Sequence, residues 1–199
     1  ARRVDCSEQF FSRANDFGYS KTPKETLKIW DKDQVLHDAV WAIRKFRPDV
    51  IINRFPPDSR AGHGHHTTSA IISAEAFEVA GTKAYPEQLA YVEPWQPTRL
   101  MLNSGRWWNP EIEKQENTIK VDIGTYSSLL GESYSEMAAR SRSMHKSQGF
   151  GSTGYRGTSL EYMTMVKGEP ATETIFDGID ISWNRVGAPH PIQKHIHIC

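Results

Sequence analysis

Cysteine is almost absent from this chain. Cys6 and Cys199 are the only two in 199 residues, and they stand near opposite ends. A disulfide framework and a thiolate-built zinc site are both excluded, which leaves a single Cys6–Cys199 bridge as the only pairing available. An excess of either charge is also missing. Lys and Arg number 24 and so do Asp and Glu, for a formal net charge of zero. Nucleic-acid binding draws on a basic excess to displace counterions, and a polybasic membrane-surface protein needs one too, so the balance argues against both. No apolar run approaches the roughly 20 residues that span a bilayer. The sequence has no His-Glu-x-x-His, so a zincin-type peptidase lacks its signature, and no Gly-x-Ser-x-Gly, so a serine hydrolase lacks its nucleophile elbow. Gly149 to Gly154 matches Gly-x-Gly-x-x-Gly. It follows a helix pattern and precedes none, the reverse of the dinucleotide-binding context, and reads as a loop.

What is present suits one globular domain, with 38% hydrophobic and 24% charged residues. No repeat or low-complexity tract interrupts it. The first helix is predicted over Lys32–Phe46, with Asp31 and Gln34 as its capping box and Val35, Ala39, Ile43 and Phe46 along one face. Arg44 and Lys45 sit in its last turn, where cations suit the helix dipole, and Arg47-Pro48 stops it. Asp49 to Asn53 is short, apolar and β-branched, as a buried parallel strand should be. A loop from Arg54 to Gly62 leads into a second helix, from about His63 to Ala80 and closed by Gly81. Further strands are expected at Arg99–Leu102, at Thr118–Ile123 as an edge, and at Leu160–Val166. Ser133-x-x-Glu136 is a capping box opening a third helix to about Gln148. From Gly168 onward the chain reads as mostly irregular. Helix, strand, loop and helix in this order make half of a doubly wound α/β unit.

The chemistry concentrates in Gly62-His63-Gly64-His65-His66-Thr67-Thr68-Ser69, where three of the eight histidines fall within four residues. Histidine is the commonest transition-metal ligand and the natural acid–base near neutral pH. The cluster lies just past the carboxyl end of the predicted parallel strand, at a helix start, where open α/β sheets place ligands. His63 and His66, three apart, share a helix face and can act on one site, while His65 should point elsewhere. Nearby polar and aromatic groups that could recognise a substrate are Asp58, Arg60, the Trp107-Trp108 pair and, on the third helix, His145. His195-x-His197 has ligand-like spacing for a strand but reads as idle.

Arg47-Pro48-Asp49-Val50-Ile51-Ile52 followed by His63-x-x-His66, with Met144-His145-Lys146-Ser147-Gln148 further on, resembles the LmbE-like/PIG-L family of zinc-dependent N-acetylglucosamine deacetylases. The resemblance implies a Rossmann-like three-layer α/β fold with a mostly parallel sheet. It makes residues 1–186 a deacetylase domain, with 187–199 irregular or the start of a following segment. It also implies removal of an N-acetyl group from an amino sugar by metal-activated water. The substrate would be a small molecule or glycan carrying an N-acetyl amino sugar. By the same resemblance His66 matches a metal ligand, for zinc or another divalent ion. His63 matches the residue that stabilises or protonates the tetrahedral intermediate, and Asp58, Arg60 and His145 become substrate-binding candidates. The family's first motif, His-Pro-Asp-Asp-Glu, supplies two further ligands and the base and has no counterpart here. The chain therefore reads as a truncated, inactive piece whose first strand is missing and whose apolar sheet edge is open to aggregation. The alternative is a non-catalytic carbohydrate-binding or scaffold module on the same fold. The compartment stays open.

Overall fold

The computed structural model describes residues 8–106 and 109–182. Cys6, Cys199, the Trp107-Trp108 pair and His195-x-His197 lie outside them. After a short helix α1 (Pro23–Thr26), helix α2 spans Lys32–Phe46. Asp31 caps it, accepting a bond from the Gln34 backbone N–H at 3.1 Å while the Gln34 side chain donates back to the same carboxylate at 3.0 Å. Arg47 ends it in the left-handed conformation, φ 57°, with its guanidinium 4.4 Å from the centre of the Trp95 ring. Strand β1 (Val50–Asn53), helix α3 (Gly64–Ala80) and strand β2 (Arg99–Ser104) follow, and β1 and β2 pair in parallel.

Strand β3 (Thr118–Asp122), the short hairpin of β4 (Tyr126–Ser127) and β5 (Glu132–Ser133), helix α4 (Tyr134–Arg142) and strand β6 (Leu160–Gly168) complete the order. The main sheet runs β1-β2-β6-β3. Strands β1, β2 and β3 share one direction. β6 inserts between β2 and β3 and opposes both, so two of the three pairings are antiparallel. This corrects the expectation of a mostly parallel sheet. Parallel neighbours need a crossover of a dozen or more residues, usually a helix. The link from β2 to β3 carries only a 3-10 turn, Ile112–Lys114, among its described residues.

The sheet's two faces are covered differently. On one, Val40 and Ile43 of α2 pack with Ala76 and Ala80 of α3 and with Ile51 of β1. On the other, Met101, Ile119 and Met163 pack with Val50, Val121 and Met165 and with Ala171 and Ile175 from the segment after β6. Arg99 is buried on that second face and donates to the carbonyls of Ile175, at 3.1 Å, and Asp177. The irregular stretch is thus pinned as a lid over the methionines. Helix α2 turns slightly from the predicted face: Val40 is fully buried, whereas Phe46 is 50% exposed. Helix α4 stops at Arg142, short of the expected Gln148, and residues 143–149 continue as turns. β1 is an edge of the sheet, and beside it an apolar groove of about 430 Å³ runs between α2 and α3, lined by Trp30, Val35, Phe46, Ile51 and Ile72.

One buried cation ties the helix pair together. Arg44, 1% exposed, donates to the carbonyls of Ala80 at 3.1 Å, Thr82 at 2.9 Å and Ala84 at 2.8 Å, and to the side-chain oxygen of Gln88 at 2.9 Å. A guanidinium suits this role because its planar fork reaches several carbonyls at once. It satisfies the acceptors left over where α3 ends. Arg44→Met keeps the volume but removes all four bonds and leaves the buried Gln88 side-chain oxygen without this donor. It should cost about 3 kcal/mol, read as a fall in the urea midpoint; a midpoint within error of the parent would contradict this role.

Candidate active site

The carboxyl ends of β1, β2 and β3 and the start of β6 lie at one end of the sheet, as the pairings Ser104 with Tyr162 and Asp122 with Leu160 require. The histidine segment leaves from this end. After Asn53, Asp58 caps the turn Ser59–Ala61 by accepting from the Arg60 N–H at 3.0 Å. Gly62, at φ 80°, then reverses the chain into His63, the N-cap of α3. Gly64 is required by close approach. A Cβ there would stand 2.3 Å from the Thr22 carbonyl oxygen, and its N–H donates to the Ser20 carbonyl at 2.7 Å. The start of α3 is thereby clamped against the segment before α1. His63 makes no side-chain capping bond; the Ser20 carbonyl takes the first N–H of the helix instead.

The three imidazoles take different places. The His66 ring nitrogen Nδ1 lies 3.1 Å from the Ala61 carbonyl oxygen. A carbonyl can only accept, so Nδ1 carries the proton, and in the neutral ring Nε2 keeps its lone pair. The same ring is stacked between two others, with Phe55 at 3.7 Å and His63 at 4.8 Å between centroids, both within 7° of parallel. Tyr19 meets His63 edge-on at 4.8 Å. His65 is turned out of this stack. Its ring lies 40° and 45° from those of His63 and His66, stacks on Phe17 at 4.6 Å, and puts Nδ1 3.3 Å from the Ser20 hydroxyl. It fastens the N-terminal segment to α3.

Parallel stacking bears on any metal. Imidazole lone pairs lie in the ring plane, so an ion in the plane of His66 lies off the plane of His63, and the two rings cannot both coordinate it as placed. His66, with Nδ1 committed to a carbonyl, has the orientation of a metal-ligating histidine. His63 does not chelate alongside it. Among the described residues no three His, Cys, Asp or Glu side chains are placed to share a metal ion. A zinc centre takes three or four ligands, so the described residues fit one ligand of such a centre and not the centre itself.

The other candidates are scattered. Asp58 and Arg60 pair with each other through two bonds, 2.9 and 2.7 Å, and both are exposed on their side chains. The guanidinium holds the Asp58 carboxyl below its usual range. His145 lies beyond the end of α4 rather than on it. It lines a hollow with Ala138, Ser141, Arg142 and Gln148, none of which borders the small cavity beside His66.

Two features escaped the sequence reading. One is the aromatic collar of Phe17, Tyr19 and Phe55 around the imidazoles. The other is a polar cleft of about 410 Å³ at the strand ends, lined by Arg54, Arg106, Glu113, Glu161 and Tyr162 among others. Arg54 also borders the His66 cavity, so the two spaces adjoin. Arg106 is ion-paired with Glu113, and the Tyr162 hydroxyl donates to Glu113 at 2.7 Å. These bonds hold the Glu113 carboxyl below its usual range and raise the Tyr162 phenol. Arg106 and Glu113 are seven residues apart and Tyr162 comes from another strand, so no local spacing announces them.

No protein-family model matches the chain. It is similar to two curated proteins named 1D-myo-inositol 2-acetamido-2-deoxy-alpha-D-glucopyranoside deacetylase. The protein from Rhodococcus jostii (strain RHA1) is 33% identical over 70 residues, 35% of this chain and 23% of that protein. The one from Rhodococcus erythropolis (strain PR4 / NBRC 100887) is 35% identical over 68 residues, 34% of this chain and 22% of that protein. The matched stretch thus spans less than a quarter of the length of either relative.

With a single oriented ligand among the described residues, the 199-residue chain is expected to bind zinc weakly. Calorimetric titration should show that His66→Ala removes the binding and His63→Ala preserves it. Tight stoichiometric binding, or equal losses in the two variants, would contradict the arrangement described.

Proposed function

We propose that this chain contributes to an amide hydrolase that removes the acetyl group from an N-acetylglucosamine-type amino sugar. Its similarity over about 70 residues to deacetylases of a GlcNAc-bearing compound supports the reaction class. The observation that carries the reading is the His66 ring, held by the Ala61 carbonyl with Nε2 free, at the mouth of β1 and beside a cavity. His66 would be one ligand of a zinc or other divalent ion, with the remaining ligands and the general base supplied from outside the described residues. Such an ion would supply a Lewis acid and a bound water acidified to a pKa of about 7.

The chain's own groups then have definite tasks. His63 is exposed, stacked on His66 and braced by Tyr19. In this reading it would hand a proton to the departing amine or stabilise the oxyanion of the tetrahedral intermediate. The dipole at the start of α3 favours negative charge developing near it. The Phe55 and Tyr19 rings offer flat apolar surface, while Asp58, Arg60 and His145 remain proposed contacts toward the rest of the substrate.

A second reading is a non-catalytic carbohydrate-binding module, favoured by the absence of a metal-ligand cluster among the described residues. Acetate release from N-acetylated amino sugars by the intact gene product separates the two. The deacetylase reading expects release that is lost on chelation and abolished in His66→Ala together with the metal. In His63→Ala the metal should stay and turnover should fall by about 10²–10⁴-fold. Sugar binding without acetate release would favour the module, and unchanged turnover in His63→Ala would remove that residue from the mechanism.

A further inference from the structure

Residues 124–159 leave the sheet and return to it through a clasped neck. Asp122, the last residue of β3, accepts from the N–H groups of Gly124 and Ser159, both at 2.9 Å. A Cβ on Gly124 would clash with the Gly157 carbonyl oxygen, so this close approach needs glycine. Beyond the neck, the hairpin of β4 and β5 is fixed to its surroundings. Glu132 pairs with Arg140 of α4, Glu136 pairs with Arg156, and the Ser133 hydroxyl donates to the Tyr155 carbonyl at 2.9 Å. The turn of the hairpin is itself closed. The Ser127 carbonyl accepts from the Gly131 N–H at 2.9 Å, and Gly131 takes φ 73°, which suits glycine. On this fixed turn stand Leu129, 95% exposed, and Leu130, also exposed. Tyr126 and Tyr134, at the base of the hairpin, are exposed as well. Residues 124–159 carry four Lys or Arg against two Glu, a local excess of cations in a chain whose charges cancel. Both glutamates are paired, which leaves Arg142 and Lys146 outside any ion pair among the described residues.

A locked turn that holds two leucines in water forgoes the stabilisation their burial would supply. Its shape narrows what can cover it. A stable protein interface buries roughly 800 Å² on each partner, whereas residues 128–131 offer a narrow apolar point. A bilayer has no contour to match and admits such a point directly. Tyrosine suits the headgroup level, where its apolar ring and its hydroxyl are both accommodated. Surplus cations are drawn to anionic headgroups. We propose that the hairpin tip is a shallow insertion point for an anionic lipid surface. Leu129 and Leu130 enter the acyl boundary, Tyr126 and Tyr134 lie among the headgroups, and the surplus cations of residues 124–159 face lipid phosphates. Contact of this kind is interfacial and needs no spanning segment. The neck lies at the carboxyl end of β3, the same end of the sheet from which the histidine segment leaves. The inference does not rest on the deacetylase reading.

Sedimentation of the 199-residue chain with vesicles tests this, using phosphatidylcholine alone or with about 30% phosphatidylglycerol. The chain should sediment with the anionic vesicles, and less so at high salt. Replacing Leu129 and Leu130 together, by Leu129→Ser and Leu130→Ser, should cut the partition coefficient by at least about tenfold and leave the urea midpoint at the parent value. Lys146→Gln should weaken anionic binding by about fivefold. A second measurement needs no variant: in bicelles with acyl-chain spin-labelled lipid, the amides of residues 128–131 should broaden before any others. No sedimentation, equal sedimentation with the two vesicle types, binding undiminished in the leucine variant, or broadening centred elsewhere would overturn the proposal. Lipid-free self-association of the parent that vanishes in the leucine variant would assign the tip to a second copy of the chain and reject the lipid surface.

Discussion

The bond from His66 Nδ1 to the Ala61 carbonyl decides which nitrogen of the ring faces the site. Its strength is ordinary, but its effect is directional. It selects one tautomer, commits one edge of the ring to the protein, and turns the other toward the cavity shared with Asn53, Arg54 and Phe55. The Ala61 carbonyl is available because Asp58 caps a short 3-10 turn and Gly62 reverses the chain directly after it. The ring cannot swing away, since Phe55 and His63 lie flat against its two faces.

The rest of the fold keeps that loop and helix in register with the sheet. Ser73 of α3 donates to the Asn53 side chain at 2.7 Å, which ties the helix to the end of β1 two turns past the histidines. Arg44 secures the far end of α3, and Gly64 permits the near end to press against the Ser20–Thr22 backbone. A helix held at both ends is a rigid base for the imidazoles at its start. Reactive groups on regular elements are held more exactly than those on loops. The polar cleft uses the same end of the sheet with residues of different origin, from the loop after β1, the turn after β2 and the first residues of β6.

Much of this was legible in the residues. The bounds of α2 follow from Asp31 and Gln34 before the periodic stretch and Arg47-Pro48 after it. The position of the histidines beyond β1 follows from a β-branched run meeting a glycine-rich loop. What stayed hidden depends on contacts distant in sequence. Nothing local to Leu160–Gly168 says that it inserts antiparallel between β2 and β3, because alternation reports a strand and not its neighbours. The last-turn Arg44 reads as a cation suited to the helix dipole, and only the chain 36 to 44 residues later shows why it is buried. The expected length of α4 failed because a capping box marks where a helix starts and not where it ends. Zinc, the acid role of His63 and the contacts of Asp58, Arg60 and His145 come from family resemblance and stand as proposals. The described geometry commits Nδ1 of one imidazole to a carbonyl and stacks a second ring upon it.

Nitrogen-15 NMR of the histidine side chains in the metal-free protein, at a pH where the rings are neutral, tests that orientation most directly. Long-range nitrogen–proton correlations distinguish the two tautomers. The proton of His66 is expected on Nδ1, with Nε2 showing the shift of an unprotonated nitrogen. A His66 ring protonated on Nε2, or exchanging freely between tautomers, would contradict the account.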